Sequence, residues 1–201
     1  MMLPLSQRKR LAIIEAAIFE FRLKGFQNSS MDAVGARAEV SKRTVYNHFP
    51  SKDALLEELV HQLVDMGRQA TQCEFSADEP LESQLKNIAL QELGLLGEAR
   101  FIDLSRIAMA EAMQSPQRAK EILNKTDQQS SNLTQWLTDA MSNKQLVEEE
   151  PAYAARQFFG LIKALAFWPQ MLTGAAAPTK ADSERIAADA VSMFLSKYRK
   201  V

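Results

Sequence analysis

The stretch that decides the fold is residues 40–52, which read VSKRTVYNHFPSK. Ser41 is a favourable N-cap for a helix of about two turns. At 100° per residue, Val45 faces one side of this helix, whereas Arg43 and Asn47 lie one turn apart on the opposite side. The pattern predicts a short helix with a buried side and an outward arginine and asparagine.

Two further helices are expected before this one. Apolar residues recur at helical spacing from Ser6 to Lys24, and Gly25 follows where a left-handed C-terminal cap is favoured. Ser29 stands three residues before Asp32, which is the spacing of a capping box, so a second short helix is expected there. Two short helices joined by a tight turn and braced by a longer helix are typical of a helix-turn-helix.

The outward side chains of the third helix suit double-stranded DNA. Arginine can donate two hydrogen bonds to guanine, asparagine can pair with adenine, and threonine can contact a thymine methyl group. A polar helix face taken alone is more often simply solvated, and the braced, capped arrangement is what favours DNA. We predict base-edge contacts from Arg43, Thr44 and Asn47. The predicted phosphate contacts, which fix position without reading sequence, are Ser30, Lys42, Tyr46, His48 and Lys52.

The charge is distributed in agreement with this prediction. The chain has 201 residues and a formal net charge of −1. Residues 1–52 hold nine basic and four acidic side chains, net +5, and the remainder carries net −6. A basic end on an acidic body favours an anionic partner at that end.

The N-terminal quarter of the chain resembles the DNA-binding domain of the TetR/AcrR family of bacterial transcription regulators. The family's third helix typically reads Val-Ser-Lys-x-Thr-Leu-Tyr-x-His-Phe, which residues 40–49 match with a single Leu-to-Val change. The resemblance implies a DNA-binding regulator that works as a homodimer on an inverted repeat. The matching residues of the first helix are Ile14, Ala16, Ala17, Phe21, Gly25 and Phe26.

One position departs from the family pattern. Glu39 stands in the turn where the family commonly has glycine. If this residue is left-handed, a side chain there strains the backbone by roughly 1 kcal/mol.

The rest of the chain is also expected to be helical. Only seven Gly and seven Pro occur, and no β-hairpin signal is present, so the fold class is all-α. We expect helices near residues 81–95, 101–113, 117–143, 150–172 and 182–199, the fourth ending or kinking at Trp168–Pro169. The domains predicted are a helix-turn-helix domain at 1–52 and a helical bundle for ligand binding and dimerisation at 53–201.

The family resemblance implies that the bundle encloses an effector pocket and that its last two helices form a dimer interface. The segment 150–172 is apolar on two sides, so one side is expected to face a second subunit. A fainter similarity to an AefR-like C-terminal domain is carried by residues 106–111 and Pro116. The predicted interface residues are Phe158, Ile162, Leu165, Ile186, Ala190, Met193 and Phe194. The candidate pocket residues, each of which also suits an ordinary core, are Phe101, Met109, Met113, Trp136 and Phe167.

Catalysis and metal binding are disfavoured. No HExxH motif and no phosphate-binding glycine loop occur. His61 and Asp65 have a spacing that could share a metal, but a solvated helix pair explains it better. We expect no cofactor. The single cysteine, Cys73, cannot form an internal disulfide, and no apolar run is long enough for a membrane span, so a cytoplasmic location is expected.

The sequence therefore predicts a homodimeric repressor that binds a palindromic operator and is released by a small hydrophobic effector. A regulator or activator without a small-molecule switch remains the alternative, because no sequence feature separates the two.

Overall fold

The computed structural model describes residues 4–126 and 131–200, which contain eleven helices and one isolated β-bridge. This confirms the all-α prediction. In chain order the helices are α1 (Leu5–Lys24), α2 (Met31–Arg37), α3 (Lys42–His48), α4 (Lys52–Ala70), α5 (Leu81–Leu96), α6 (Ala99–Ala112), α7 (Pro116–Thr126), α8 (Ser131–Ser142), α9 (Pro151–Ala166), α10 (Trp168–Thr173) and α11 (Lys180–Tyr198).

The helix ends follow local sequence signals, with one correction. Gly25 ends α1 with a φ of +76°, as predicted, although its ψ of 159° is not that of a left-handed helix. The N-cap of α2 is Ser30, whose Oγ accepts a hydrogen bond from the Ala33 N–H, and not Ser29 as predicted. Ser29 instead turns inward and its hydroxyl contacts the carbonyl oxygens of Glu20 and Gly25.

The described chain divides into two compact units. The first comprises the residues up to Leu63 together with Asp103–Lys125, and the second comprises Val64–Ile102 and the residues from Thr126 onward. Helices α4 and α6 therefore each contribute to both units. The predicted boundary between residues 52 and 53 concerns functional domains and stays a prediction.

The first unit is built on one apolar face of α1. Phe21 and Phe26 pack edge to face, with ring centroids 5.2 Å apart. Burial of this face removes the α1 side chains from water and fixes α2 and α3 against them. The buried apolar residues of this core include Ile13, Ile14, Ala17, Phe21, Phe26, Val34, Val45, Phe49, Leu55 and Leu59.

The second unit is a helical bundle in which α11 packs on α5 and α9. Its centre is aromatic, since the ring of Phe194 lies 5.2 Å from that of Phe158 and 4.5 Å from that of Tyr198. The predicted helix 150–172 breaks at Phe167, as expected beside Trp168–Pro169. The predicted helix 117–143 covers α7 and α8, and residues 127–130 between them lie outside the described residues.

Candidate DNA-binding surface

Helix α3 is held by its cap and by two apolar anchors. The Oγ of Ser41 accepts a hydrogen bond from the Thr44 N–H at 3.2 Å. Val45 and Phe49 are buried, and the Phe49 N–H donates to the Val45 carbonyl oxygen at 2.8 Å, which closes the helix. Because both anchors point inward, the opposite side of the helix is presented to solvent.

The predicted base-edge residues lie on this outward side. Arg43 and Asn47 are exposed one turn apart. Thr44 is half-buried, and its Oγ1 lies 2.9 Å from the Ser41 Oγ, so its hydroxyl supports the cap. The arrangement can offer a guanidinium fork and a carboxamide side by side to one groove of DNA.

The predicted phosphate contacts are less uniform in their surroundings. The Lys42 ammonium lies 3.0 Å from the Asp32 carboxylate, which raises the pKa of Lys42 above its ordinary value through a hydrogen bond. Tyr46 is exposed, His48 is half-buried, and Ser30 is occupied in capping α2. Lys42 and Tyr46 therefore flank the outward face with a cation and a hydroxyl that suit phosphate oxygens.

Lys52 has a different environment from the one predicted. Its Nζ donates hydrogen bonds to the carbonyl oxygens of Phe26 at 2.7 Å, Gln27 at 3.1 Å and Ser29 at 2.9 Å. An ammonium group has three donors, and these carbonyls use all of them. Lys52 thus fastens the start of α4 to the loop between α1 and α2, and its predicted phosphate contact stays a prediction.

The turn between α2 and α3 carries the backbone strain that its sequence suggested. Glu39 has a φ of +54°, in the left-handed region, where a side chain costs roughly 1 kcal/mol. The turn closes when the Val40 N–H donates to the Gly35 carbonyl oxygen at 3.0 Å. A Cβ at Gly35 would lie only 2.9 Å from the Val45 Cγ2, so glycine is what allows α2 and α3 to approach this closely.

Sequence reasoning missed Gly35 and also Glu20. The Glu20 carboxylate is buried, at 3% exposure, and pairs with Lys24 and Arg37, each at 2.8 Å. The ion pairs with Lys24 and then Arg37 lower the pKa of Glu20 below its ordinary value. This triad joins α1 to the end of α2. The available signal was an acid on the buried side of α1 with a lysine one turn later.

The predicted pocket residues are not brought into one compact unit. Phe101, Trp136 and Phe167 belong to the second unit, whereas Met109 and Met113 belong to the first. Trp136 is a core residue whose Nε1 donates to Gln84 Oε1 at 3.0 Å, and Met113 is 76% exposed. Phe101 and Phe167 do lie near one another, with centroids 6.5 Å apart.

The predicted dimer face separates into exposed and buried residues. Leu165 and Met193 are 60% and 59% exposed on the walls of an apolar groove of about 580 Å³ between α9 and α11. Ile186, Ala190 and Phe194 form the floor of this groove. In contrast to the prediction, Phe158 and Ile162 are completely buried beneath it, because they face the core of their own unit.

The residues considered for other chemistry are dispersed. Asp65 pairs with Arg68 at 3.3 Å, and His61 lies 4.0 Å from Glu57. Within the described ranges, no group of three histidine, cysteine or acidic residues is placed to hold a metal ion. Burial raises the pKa of the Cys73 thiol to about 11, which leaves little reactive thiolate near neutral pH. The helices traced in residues 4–126 and 131–200 include none that is both long and apolar enough to cross a bilayer.

Comparison with known proteins agrees with this geometry. Residues 13–59 match the family described as bacterial regulatory proteins of the tetR family. Residues 83–200 match the C-terminal domain of an AefR-like transcriptional repressor. The first match contains the whole of α2, α3 and the turn between them.

Solved structures and curated relatives extend the similarity. A TetR family transcriptional regulator from Pseudomonas syringae pv. tomato str. DC3000 is 35% identical, with a TM-score of 0.86 over 96% of this chain and 97% of that one. The flavonoid-responsive regulator FrrA is 27% identical, with a TM-score of 0.75 over 96% and 98%. The HTH-type transcriptional regulator UidR of Escherichia coli (strain K12) is 30% identical over 123 residues, and the match spans 60% of each chain.

Proposed function

Because the chain belongs to the TetR family and is a DNA-binding transcriptional regulator, we propose that it represses transcription as a homodimer bound to an inverted-repeat operator. The observation that carries the proposal is the outward pair Arg43 and Asn47 on a capped helix whose other side is buried. Its family relatives are regulators and not enzymes.

In the proposed complex, α3 lies in the major groove of DNA. Arg43 and Asn47 contact base edges, and Thr44 contributes its methyl group. Phosphate oxygens are contacted by Lys42, Tyr46 and His48, and by the hydroxyl of Ser30 at the edge of this surface. Lys52 holds α4 against the α1–α2 loop instead.

Dimerisation is proposed through the groove between α9 and α11. Leu165 and Met193 leave a large apolar area in water, which association of two copies about a two-fold axis would bury. Two copies of α3 would then read half-sites about one helical turn of DNA apart. The double variant Leu165→Glu with Met193→Glu should be a monomer, so its mass in solution should be half that of the wild type. Met113→Glu, a matched change at another exposed methionine, should keep the mass of the dimer. A double variant that keeps the wild-type mass would reject this interface.

We further propose that a small hydrophobic effector releases the operator. Support comes from the match to an AefR-like repressor domain and from one similar protein, 27% identical, described as flavonoid-responsive. Phe101 and Phe167 are the pocket candidates that we retain. The effector must bind the DNA-incompetent state more tightly than the competent one, and α4 is the helix proposed to carry the change because it contributes to both units. A regulator or activator without an effector is the alternative.

Selection of bound duplexes from random DNA tests the DNA proposal directly. The expected result is an inverted repeat, with Arg43→Ala and Asn47→Ala each costing about 1–3 kcal/mol on the selected duplex and little on scrambled DNA. Equal losses on both duplexes would reject the assignment of base contacts. Native mass spectrometry of the purified protein then searches for a retained small molecule, whose saturating addition should weaken binding to the selected duplex. Unchanged binding would favour the alternative.

A further inference from the structure

One arginine of α7 contacts three separate parts of the first compact unit. Arg118 Nη2 lies 2.7 Å from Asp53 Oδ1 at the start of α4. Its Nη1 lies 3.6 Å from Glu111 Oε2 near the end of α6. Its guanidinium carbon lies 5.2 Å from the ring centroid of Phe26, in the loop between α1 and α2. All four residues belong to one unit.

The loop that Arg118 contacts is held from both sides. The ammonium of Lys52 lies 4.5 Å from the same Phe26 ring, so the ring has a cation from α4 and a cation from α7 against it. The next residue, Gln27, donates its Nε2–H to Glu111 Oε2 at 3.2 Å. The α1–α2 loop is therefore positioned by α4, α6 and α7 together.

Burial makes these contacts mutually dependent. Glu111 is only 2% exposed, and a carboxylate at such a place requires a cation or several hydrogen-bond donors. Arg118 supplies the cation, and Asp53 holds its other nitrogen. Without the guanidinium, the Glu111 carboxylate would keep the hydrogen bond from Gln27, and the α1–α2 loop would lose its contact with α7.

The loop leads directly into the DNA-reading helices. Ser30, the N-cap of α2, follows Gln27 by three residues, and α2 fixes α3 through the close approach at Gly35. A displacement of the loop is therefore passed to the face that carries Arg43 and Asn47.

We propose that Arg118 is a positioning residue for operator binding, which holds the α1–α2 loop, and through it α3, in the orientation that reads DNA. The proposal rests on the operator binding proposed above. It gives Arg118, in α7, an indirect part in DNA affinity, through the α1–α2 loop.

The test compares affinity for a duplex selected from random DNA with affinity for a scrambled duplex of the same composition, at fixed salt. Arg118→Met should raise the dissociation constant for the selected duplex about tenfold, since one coupled contact of this kind changes an equilibrium by roughly that factor. Binding to the scrambled duplex should change less than twofold. The control is Lys120→Met, which removes an equal charge from an exposed position on the same helix.

A second variant separates positioning from stability. Arg118→Met combined with Glu111→Gln removes the buried charge, so the midpoint of thermal unfolding should recover towards wild type, while affinity for the selected duplex should stay low. If Arg118→Met does not fold, Arg118→Lys, which keeps the charge, is compared on the selected and scrambled duplexes in its place. Its loss of affinity for the selected duplex should lie between those of the wild type and the expected methionine variant.

Two results would overturn the inference. One is a selected-duplex affinity of Arg118→Met, or of Arg118→Lys in its place, within twofold of wild type. The other is recovery of that affinity together with stability in the double variant, because Arg118 would then act only on folding. If wild-type protein selects no sequence at all, the proposed operator binding fails and the inference falls with it.

Discussion

Replacing Lys52 with methionine tests whether this side chain positions α4 or contacts DNA. Methionine has a similar length but no donor, so the change removes all three hydrogen bonds from Nζ to the loop carbonyls. A hydrogen bond from a charged donor contributes about 1.5–3 kcal/mol when it is well buried. Here water can reach the half-buried site, and we expect a total loss of about 2 kcal/mol.

For a chain of this size, such a loss lowers the midpoint of thermal unfolding by about 4–8 °C. Circular dichroism on heating measures this directly. The matched control is Lys42→Met, because the Lys42 ammonium makes a single, well-exposed ion pair with Asp32. Exposed pairs of this kind contribute little to stability, so the control should melt close to wild type.

DNA binding should show the opposite pattern. If Lys42 contacts a phosphate, Lys42→Met lowers the slope of log affinity against log salt by about 0.9. Lys52→Met should leave that slope unchanged. The reasoning is refuted if Lys52→Met melts like wild type, or if it lowers the salt slope as Lys42→Met does.

Three further changes test the geometry of the first unit. Gly35→Ala places a methyl group against Val45 of α3 and should lower the unfolding free energy, measured with urea, by about 1–3 kcal/mol. An unfolding free energy equal to that of the wild type would mean that α2 and α3 can move apart without cost. Glu39→Gly should relieve the left-handed strain and, after the entropy cost of glycine, stabilise by about 0.5 kcal/mol in the same assay, and a lower stability would contradict this. The lowered pKa of Glu20 means that its ion pairs contribute fully above the ordinary value of 4.5 and are lost as pH falls through the folded-state pKa. Below about pH 5, the unfolding free energy should therefore fall more steeply for wild type than for Glu20→Gln, and parallel curves would show that the carboxylate is not paired in solution.

Local signals predicted most of the helix-turn-helix. Ser41 caps α3 and Val45 is buried, as the wheel required, because capping and the 3.6-residue period act within a few residues. The strain at Glu39 was predictable for the same reason, since the conformation of a turn residue depends mainly on its own side chain.

Contacts between distant residues could not be predicted in this way. Lys52 meets carbonyls 23–26 residues earlier, and Arg118 meets Asp53 65 residues earlier. A basic residue beside a DNA-reading helix suits a phosphate and a carbonyl equally well until the fold brings one of them close. The same holds for α9, because periodicity shows that it has two apolar sides but not which side faces the core. Phe158 and Leu165 are both predicted for the dimer face, but Phe158 is buried in its own unit and Leu165 is exposed.

The discontinuous first unit has a consequence for how the protein is made. Its early part ends at Leu63, but the residues that complete it, Asp103–Lys125, are synthesised about 40 to 60 positions later. At typical bacterial elongation rates of roughly 5–20 residues per second, a nascent chain waits several seconds before Arg118 can reach Asp53. With Arg118 positioning the α1–α2 loop as proposed, an N-terminal fragment ending at Leu63 should bind the selected duplex more weakly than the whole protein does. The newly synthesised chain should reach its full affinity for that duplex only after α7 has been translated.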